Sequence, residues 1–472
     1  MIDQNLNLRP ATRRHFFSEC GVGIGKIALA SLCTNDAAFA QTQRKQQVHH
    51  KATAKHVIHL FMAGAPSQLE LFDHKPGLEK LEGQPLPPSL LENQRYAFIR
   101  KDAAVMAPRF KFNQHGKSGM KISDVLPYLA KVVDDITLIR SVKTDQFNHA
   151  PAQLFFNTGS GLPGRPSMGS WITYGLGSEN KNLPGFMVFS TGAGISGGAA
   201  NWSSGFLPSP LSGVRLRNQG DAMLNLTRPG SLSAQDDNAT ATLLRALNKQ
   251  RQQTEFDPAI DDRISSYELA YRMQTAAPDV MDLSQETQAT LDLYGADPKV
   301  PSFARACLLA RRMIERGVRF INIYHEGWDA HSDVVGNIND NAKRTDQASA
   351  ALVIDLKQRG LLDETLVIWG GEFGRTPMVE SNKALGRSQG RDHHPAAYSM
   401  WIAGGGFKRG FEYGETDDLG FNVVHNPVHV HDLQATILHC LGINHEKLTY
   451  RFAGRDYRLT DVHGNVVRAL LA

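Results

Sequence analysis

Val318-Arg319-Phe320-Ile321-Asn322-Ile323-Tyr324 runs without a break into His325-Glu326-Gly327-Trp328-Asp329-Ala330-His331-Ser332-Asp333. The first stretch is dominated by β-branched and aromatic residues and reads as a buried strand, while the second is crowded with carboxylates and imidazoles. Two further segments repeat the pattern. Thr365-Leu366-Val367-Ile368-Trp369 leads into Gly371-Glu372-Phe373-Gly374-Arg375-Thr376-Pro377, and Gly390-Arg391-Asp392-His393-His394-Pro395 stands just before Ser399-Met400-Trp401-Ile402-Ala403. Ligands of α/β proteins gather outside the carboxyl ends of strands, so these clusters are expected to meet in one crevice. Strands at 318–324, 365–369 and 399–403 alternate with helices near 340–359 and 431–441. That alternation predicts an α/β fold, a mainly parallel sheet covered by helices on both faces.

Working back along the chain, Val57 to Met62 reads as the first buried strand, followed by the loop Ala63-Gly64-Ala65-Pro66-Ser67. Residues 77–123 are polar and broken by Pro85, Pro87, Pro88 and Pro108, which predicts a long surface excursion. A helix is expected over Asp124–Val133, a strand over Ile136–Arg140, helices over Ala150–Asn157 and Met168–Leu176, and a strand over Phe186–Ser190. Gly192 to Pro229 reads as loop. Its Gly192-Ala193-Gly194-Ile195-Ser196-Gly197 matches a dinucleotide fingerprint by letter only, because no amphipathic helix follows it. Ala239–Ala276 and Ser302–Arg316 are helical by apolar spacing and are expected to form a lid or flank inserted into the sheet domain. The expected organisation is one domain over 41–472, with insertions at about 77–123 and 192–316.

The amino end reads as a targeting segment. Thr12-Arg13-Arg14-His15-Phe16-Phe17 is a twin-arginine pattern, followed by an apolar stretch from Gly21 to Leu32 and by Ala38-Phe39-Ala40, a small-residue cleavage site. Residues 1–40 are therefore expected to be a signal peptide, with the mature chain starting at Gln41 in the periplasm or outside the cell. The apolar stretch is shorter than the roughly 20 residues a bilayer span needs, so no permanent membrane anchor is expected. Of the four cysteines, Cys20 and Cys33 fall in this segment, leaving Cys307 and Cys440; neither a disulfide framework nor a thiolate metal site is available. A net charge of +4 over 472 residues gives no case for nucleic-acid binding.

These clusters are similar to those of the alkaline phosphatase and sulfatase superfamily, in its exported sulfatase-like branch. The resemblance is carried by Gly327-Trp328-Asp329-x-His331-x-Asp333, Gly370 to Pro377, Gly390 to Pro395, His431 to Leu438 and Phe452 to Asp456. It implies a parallel-sheet fold with a bimetal-type site at the strand ends. It also implies that Asp329, His331 and Asp333 form a metal-binding element, that Glu372 stands where the superfamily has the first residue of an Asp-His pair, and that His393 or His394 completes a metal. Counting back from Thr158-Gly159 places His149 at the position of the superfamily's nucleophile, where no Ser, Thr or Cys is found.

Oxygen and imidazole donors from Asp329, His331, Asp333, Glu372, His393 and His394 suit a divalent ion such as Zn²⁺, Mn²⁺ or Ca²⁺. Metal-bound water attacks an ester without a nucleophilic side chain. His149 opens a helix and is a candidate nucleophile, general acid or anion contact, and Glu372 a candidate base. Arg375 and Arg391 are candidates to grip a tetrahedral anion. Each also has a structural alternative: Asp333 as a helix cap, Glu372 in an ion pair with Arg375, His325 as the last core residue of its strand, His431 capping its helix with Asp432. The expected function is hydrolysis of phosphate or sulfate esters, with an anionic small molecule or a sulfated or phosphorylated glycan as ligand. The alternative is a non-catalytic relative that binds metal and an anionic glycan or partner in the cell envelope. Oligomeric state is not legible.

Overall fold

Along His56–Ala63 (β1) the buried side chains alternate: Ile58, Leu60 and Met62 enter one apolar core, Val57, Phe61 and Ala63 another. Such alternation places a layer on each face of a sheet. The other strands of the sheet and of the hairpin beside it are, in chain order, Ile136–Lys143 (β2), Phe186–Thr191 (β3), Val214–Arg215 (β4), Phe320–Glu326 (β5), Thr365–Gly370 (β6), Gly374–Asn382 (β7), Arg387–His394 (β8), Tyr398–Ala403 (β9), Phe411–Tyr413 (β10) and Val428–His429 (β11). The computed structural model describes residues 48–472 apart from 88–90, 92–97, 100–101, 193, 218–242, 244–245, 249, 251–257 and 383–385. The expected signal peptide, and the start of the helix expected from Ala239, lie outside the described residues.

The nine-stranded sheet has the order β10-β2-β9-β6-β1-β5-β3-β4, with β11 also on β2. Every pairing is parallel except those of β9, which runs against both β6 and β2. The carboxyl ends of β1, β2, β5 and β6 therefore share one rim, and the start of the reversed β9 reaches the same rim. The fold is the mainly parallel α/β sheet the sequence implied.

Helices cover both faces. His149–Thr158 (α1), Met168–Leu176 (α2) and Val430–Cys440 (α6) pack on one side, while Phe303–Glu315 (α4) and Val334–Gln358 (α5) pack on the other; Pro258–Met281 (α3) lies beside α4. Among the described residues no helix is long and apolar enough to cross a membrane.

Three local expectations are corrected. Residues 124–133 form no α-helix; two 3₁₀ turns, Leu129–Lys131 and Val133–Asp135, stand there instead. Pro127 lacks a donor, and the carboxylate of Asp346 takes the backbone N–H groups of Tyr128 and Leu129 at 2.7 and 2.9 Å, a tertiary contact that replaces helical pairing. Within 77–123, Phe112–His115 and Met120–Ser123 pair as an antiparallel hairpin, and Leu78, Leu86, Leu91, Val105 and Ala107 form a small core with Met378 and Phe421. The excursion is thus packed onto the β7–β8 hairpin. His429 rather than His431 caps α6: its side chain accepts from the His431 N–H, and Asp432 answers from within the helix.

Candidate metal centre

The loop after β5 alternates as an extended chain would. Trp328 and Ala330 are buried in the core, whereas Asp329 and His331 project to the rim. Gly64, at the end of β1, permits this: its φ is +108°, and a Cβ there would lie 2.5 Å from the Asp329 amide nitrogen. On the far side the loop is zipped to β8, the Arg391 N–H bonding to the Ala330 carbonyl at 3.0 Å and the Asp333 N–H to the Ser388 carbonyl at 3.1 Å. Gly390 lies so close that a Cβ would stand 2.0 Å from the His331 carbonyl carbon. Gly390→Ala is expected to cost at least ~3 kcal/mol, because a backbone atom rather than a flexible side chain blocks the methyl; the midpoint of urea unfolding measures it.

Four side chains meet at that rim. One Asp329 carboxylate oxygen lies 3.1 Å from His149 Nε2, 2.9 Å from His331 Nε2, 3.5 Å from His393 Nε2 and 2.6 Å from Arg375 Nη2. The His331 and His393 Nε2 atoms are 3.1 Å apart. His149 arrives from the first turn of α1, His393 from the last residues of β8, where a bulge between Arg391 and His393 shifts the register. The other ring nitrogen of each imidazole faces an acceptor: His149 Nδ1 faces Glu372 at 2.7 Å, His393 Nδ1 the Phe147 carbonyl at 2.8 Å, and His331 Nδ1 the buried carboxylate of Glu380. Acceptors there fix the proton on Nδ1, so all three Nε2 lone pairs point inward.

Three lone pairs and a carboxylate facing one another need positive charge between them. Without an ion, protons supply it. Burial alone would lower the pKa of His149, yet its hydrogen bonds to Asp329 and Glu372 win and raise it to about 9. Burial opposes His331 in the same way, and Asp329 and Glu380 raise it. Burial drives His393 down to about 3, the Asp329 contact offsetting this only in part. Asp329 itself is held well below the usual carboxylate range, the three imidazoles overcoming the effect of burial. A cation fits the same place: the donors lie within 4.8 Å of one another, and their closest separations bracket the ~3.3 Å edge expected between ligands of a tetrahedral Zn²⁺. Asp329 is 41% exposed while His393 is 2% exposed, so the cluster opens to solvent on the Asp329 side.

Glu372 is fully buried behind His149. Its carboxylate accepts from the His149 ring, from Gln153 Nε2 at 3.0 Å and from the Gly64 N–H at 3.0 Å, so it orients that imidazole and does not join the four. Arg375 is also fully buried; besides Asp329 it donates to the carbonyls of Ala65, Gly64 and Arg391.

Three predicted site residues stand elsewhere. Asp333 caps α5, accepting from the Gly336 N–H at 3.0 Å. His394 is completely buried against Phe421, its Nε2 on the Phe421 carbonyl, and burial lowers its pKa to about 4; adjacent residues of a strand face opposite ways, and the side facing the site is taken by His393. Arg391 is not an anion clamp, since Glu70 takes its Nε and Nη2 at 2.9 and 2.7 Å and the carbonyls of Thr376 and Ala107 take the rest. Arg391→Met is expected to destabilise by ~3–5 kcal/mol, through the buried Glu70 left uncompensated, while metal affinity changes little; paired unfolding and metal titrations check both halves. His325 likewise is structural, held by Thr191 Oγ1 at 2.8 Å and Asn341 Oδ1 at 3.2 Å.

Sequence reasoning missed Glu380, Gln153 and the Phe147 carbonyl, for none of which the sequence carries a motif. Asp392 accepts the backbone N–H of His393 at 2.8 Å and those of Phe98 and Ile99 at 2.9 and 3.2 Å.

No curated protein matches the chain. Among solved structures it resembles Ps i-CgsB, solved with k-i-k-neocarrahexaose (10% identity, 82% of this chain and 72% of that one, TM-score 0.37). It also resembles the PsFucS1 sulfatase from Pseudoalteromonas sp. (13%, 90% and 72%, TM-score 0.33). A third likeness is to the alkaline phosphatase from the Antarctic bacterium TAB5 (12%, 83% and 98%, TM-score 0.32). Residues 54–471 match the family model described as Protein of unknown function (DUF1501), and the chain belongs to that family.

Proposed function

We propose that the protein is an exported hydrolase of phosphate or sulfate esters that depends on a divalent metal held by His149, Asp329, His331 and His393. One observation carries the reading: three imidazoles present Nε2 to a single carboxylate oxygen, each with its Nδ1 anchored behind it. Three nitrogen donors favour Zn²⁺ or Mn²⁺ over the oxygen-seeking Ca²⁺. Such an ion, when bound, polarises an ester oxygen and acidifies water.

The chain's own groups do the rest. Glu372 holds the Nδ1 proton of His149 and fixes the ring; Arg375 neutralises Asp329 from the protein side. The exposed flank of Asp329 is where an anionic substrate, such as a sulfated or phosphorylated glycan, would enter. His149 is drawn into the ligand set, which removes it from the nucleophile's role and leaves water as the attacking group. Export rests on Arg13-Arg14 and the Ala38-Phe39-Ala40 site.

Purified protein, analysed for metal and then assayed with aryl phosphates and aryl sulfates, tests this. Close to one Zn or Mn per chain with turnover of either ester is expected; a metal-loaded protein that turns over neither contradicts the hydrolase. The second reading, metal and anionic-glycan binding without catalysis, is favoured by one specific observation. Arg375 and Arg391 spend their donors on protein groups, so neither forms a free anion clamp.

A further inference from the structure

Of the four side chains at the centre, only His149 stands in the first turn of a helix, where backbone N–H groups lack helical partners and the chain frays most easily. The helix itself does little to hold that turn. Asn148 before it makes no side-chain cap, no acidic side chain lies within it, and Pro151 has no N–H to give. A side chain one turn further in supplies the anchor instead.

Gln153 follows His149 by four residues, on the same face of α1, and is buried. Its Nε2 donates to Glu372 Oε1 at 3.0 Å, and His149 Nδ1 faces that same oxygen at 2.7 Å. The Gly64 N–H reaches it as well, at 3.0 Å. One carboxylate oxygen just beyond β6 therefore grips two successive turns of α1 and the end of β1. Gln153 carries a cost in this arrangement. Its Oε1 is buried with no hydrogen-bond partner among the described residues, a penalty that an apolar side chain of similar size avoids. The bond to Glu372 is what the amide provides in exchange.

We infer that Gln153 is a positioning residue of the metal centre: it fixes Glu372 Oε1, which in turn fixes the His149 ring with Nε2 turned toward Asp329. This rests on the reading of the four side chains as a metal site. It goes further by assigning part of the centre's affinity to a neutral side chain that is not one of the four. Without the Gln153 donor, Glu372 and the first turn of α1 are free to shift, and that freedom must be given up each time an ion binds.

The test uses the full-length protein, stripped of metal and titrated with Zn²⁺ and with Co²⁺, whose visible absorption reports the geometry around the ion. Gln153→Met keeps the bulk and removes the donor, and Gln153→Ala removes the donor with the bulk. Tyr398→Phe is the control: Tyr398 is buried, burial and then the charge of Glu372 hold its pKa above the ordinary value, and its hydroxyl has no hydrogen-bond partner among the described residues. Both Gln153 variants should bind Zn²⁺ about 10- to 100-fold more weakly, the range for loss of an outer hydrogen-bond partner, and give an altered Co²⁺ spectrum. Tyr398→Phe should change neither, and urea unfolding of the metal-free proteins reports whether each variant folds. Unchanged Zn²⁺ affinity in a folded Gln153 variant overturns the role of Gln153 and leaves the centre standing. An equal loss in Tyr398→Phe shows a packing effect, and failure of both Gln153 variants to fold shows a structural one; either overturns it too. Unaltered protein that binds neither ion removes the metal centre, and this inference with it.

Discussion

Asp329→Asn should retain the fold and lose divalent metal, its affinity falling by more than the ~10–100-fold that removal of an outer hydrogen-bond partner costs. The carboxylate is the shared contact of three imidazoles, the 2.6 Å partner of a fully buried arginine, and the sole anionic donor among the four. The amide keeps the shape and one acceptor oxygen but not the charge. Arg375 still has three backbone carbonyls to donate to, so it stays hydrogen-bonded, but it loses its counter-charge and the His149 and His331 protons lose their carboxylate acceptor, so the metal-free fold is weakened as well. Metal analysis with thermal unfolding reads the two effects separately: metal content should collapse, and the metal-free protein should still unfold cooperatively but at a lower temperature. An Asp329→Asn protein with full metal content would remove Asp329 from the ligand set.

Metal affinity should rise steeply with pH. In the metal-free protein His149 keeps a second proton until about pH 9, and that proton sits on the nitrogen a cation must take. Binding therefore displaces it, and through this group alone apparent affinity should increase roughly 50-fold from pH 7 to pH 9, with close to one proton released per ion at pH 7. The stability of the metal-free protein runs the other way. A histidine whose pKa is raised on folding contributes stability that is fully present below its unfolded value near 6.5 and is lost as pH climbs through about 9. Stabilisation by metal should accordingly be greatest in the alkaline range. Titration in buffers of differing ionisation enthalpy counts the protons, and an affinity that stays flat from pH 7 to pH 9 would contradict the arrangement.

How much of this was legible beforehand follows from the physics of each element. Apolar runs such as Val57–Met62, broken only by His59, and Leu366–Trp369 announced buried strands because both faces of the sheet are covered. Asp329 and His331 were legible because a strand-end loop of alternating residues must send one set inward and the other to the rim. Long-range partners were not. Glu70 captures Arg391 from 321 residues away, and Asp346 captures the 128–129 backbone from more than 200. Neither leaves a local pattern. The choice between His393 and His394 turns on a bulge in β8, and bulges are set by pairing with the neighbouring strand. Asp333 was ambiguous for another reason: a carboxylate before an amphipathic run is equally a ligand or a helix cap, and here the cap prevailed.

Anomalous scattering from a crystal of the purified protein, recorded above and below the zinc and manganese absorption edges, measures the central claim most directly. The account predicts a single strong peak in contact with the Asp329 carboxylate and the Nε2 atoms of His149, His331 and His393. A peak coordinated by other residues, or none in crystals grown with either ion present, would contradict it.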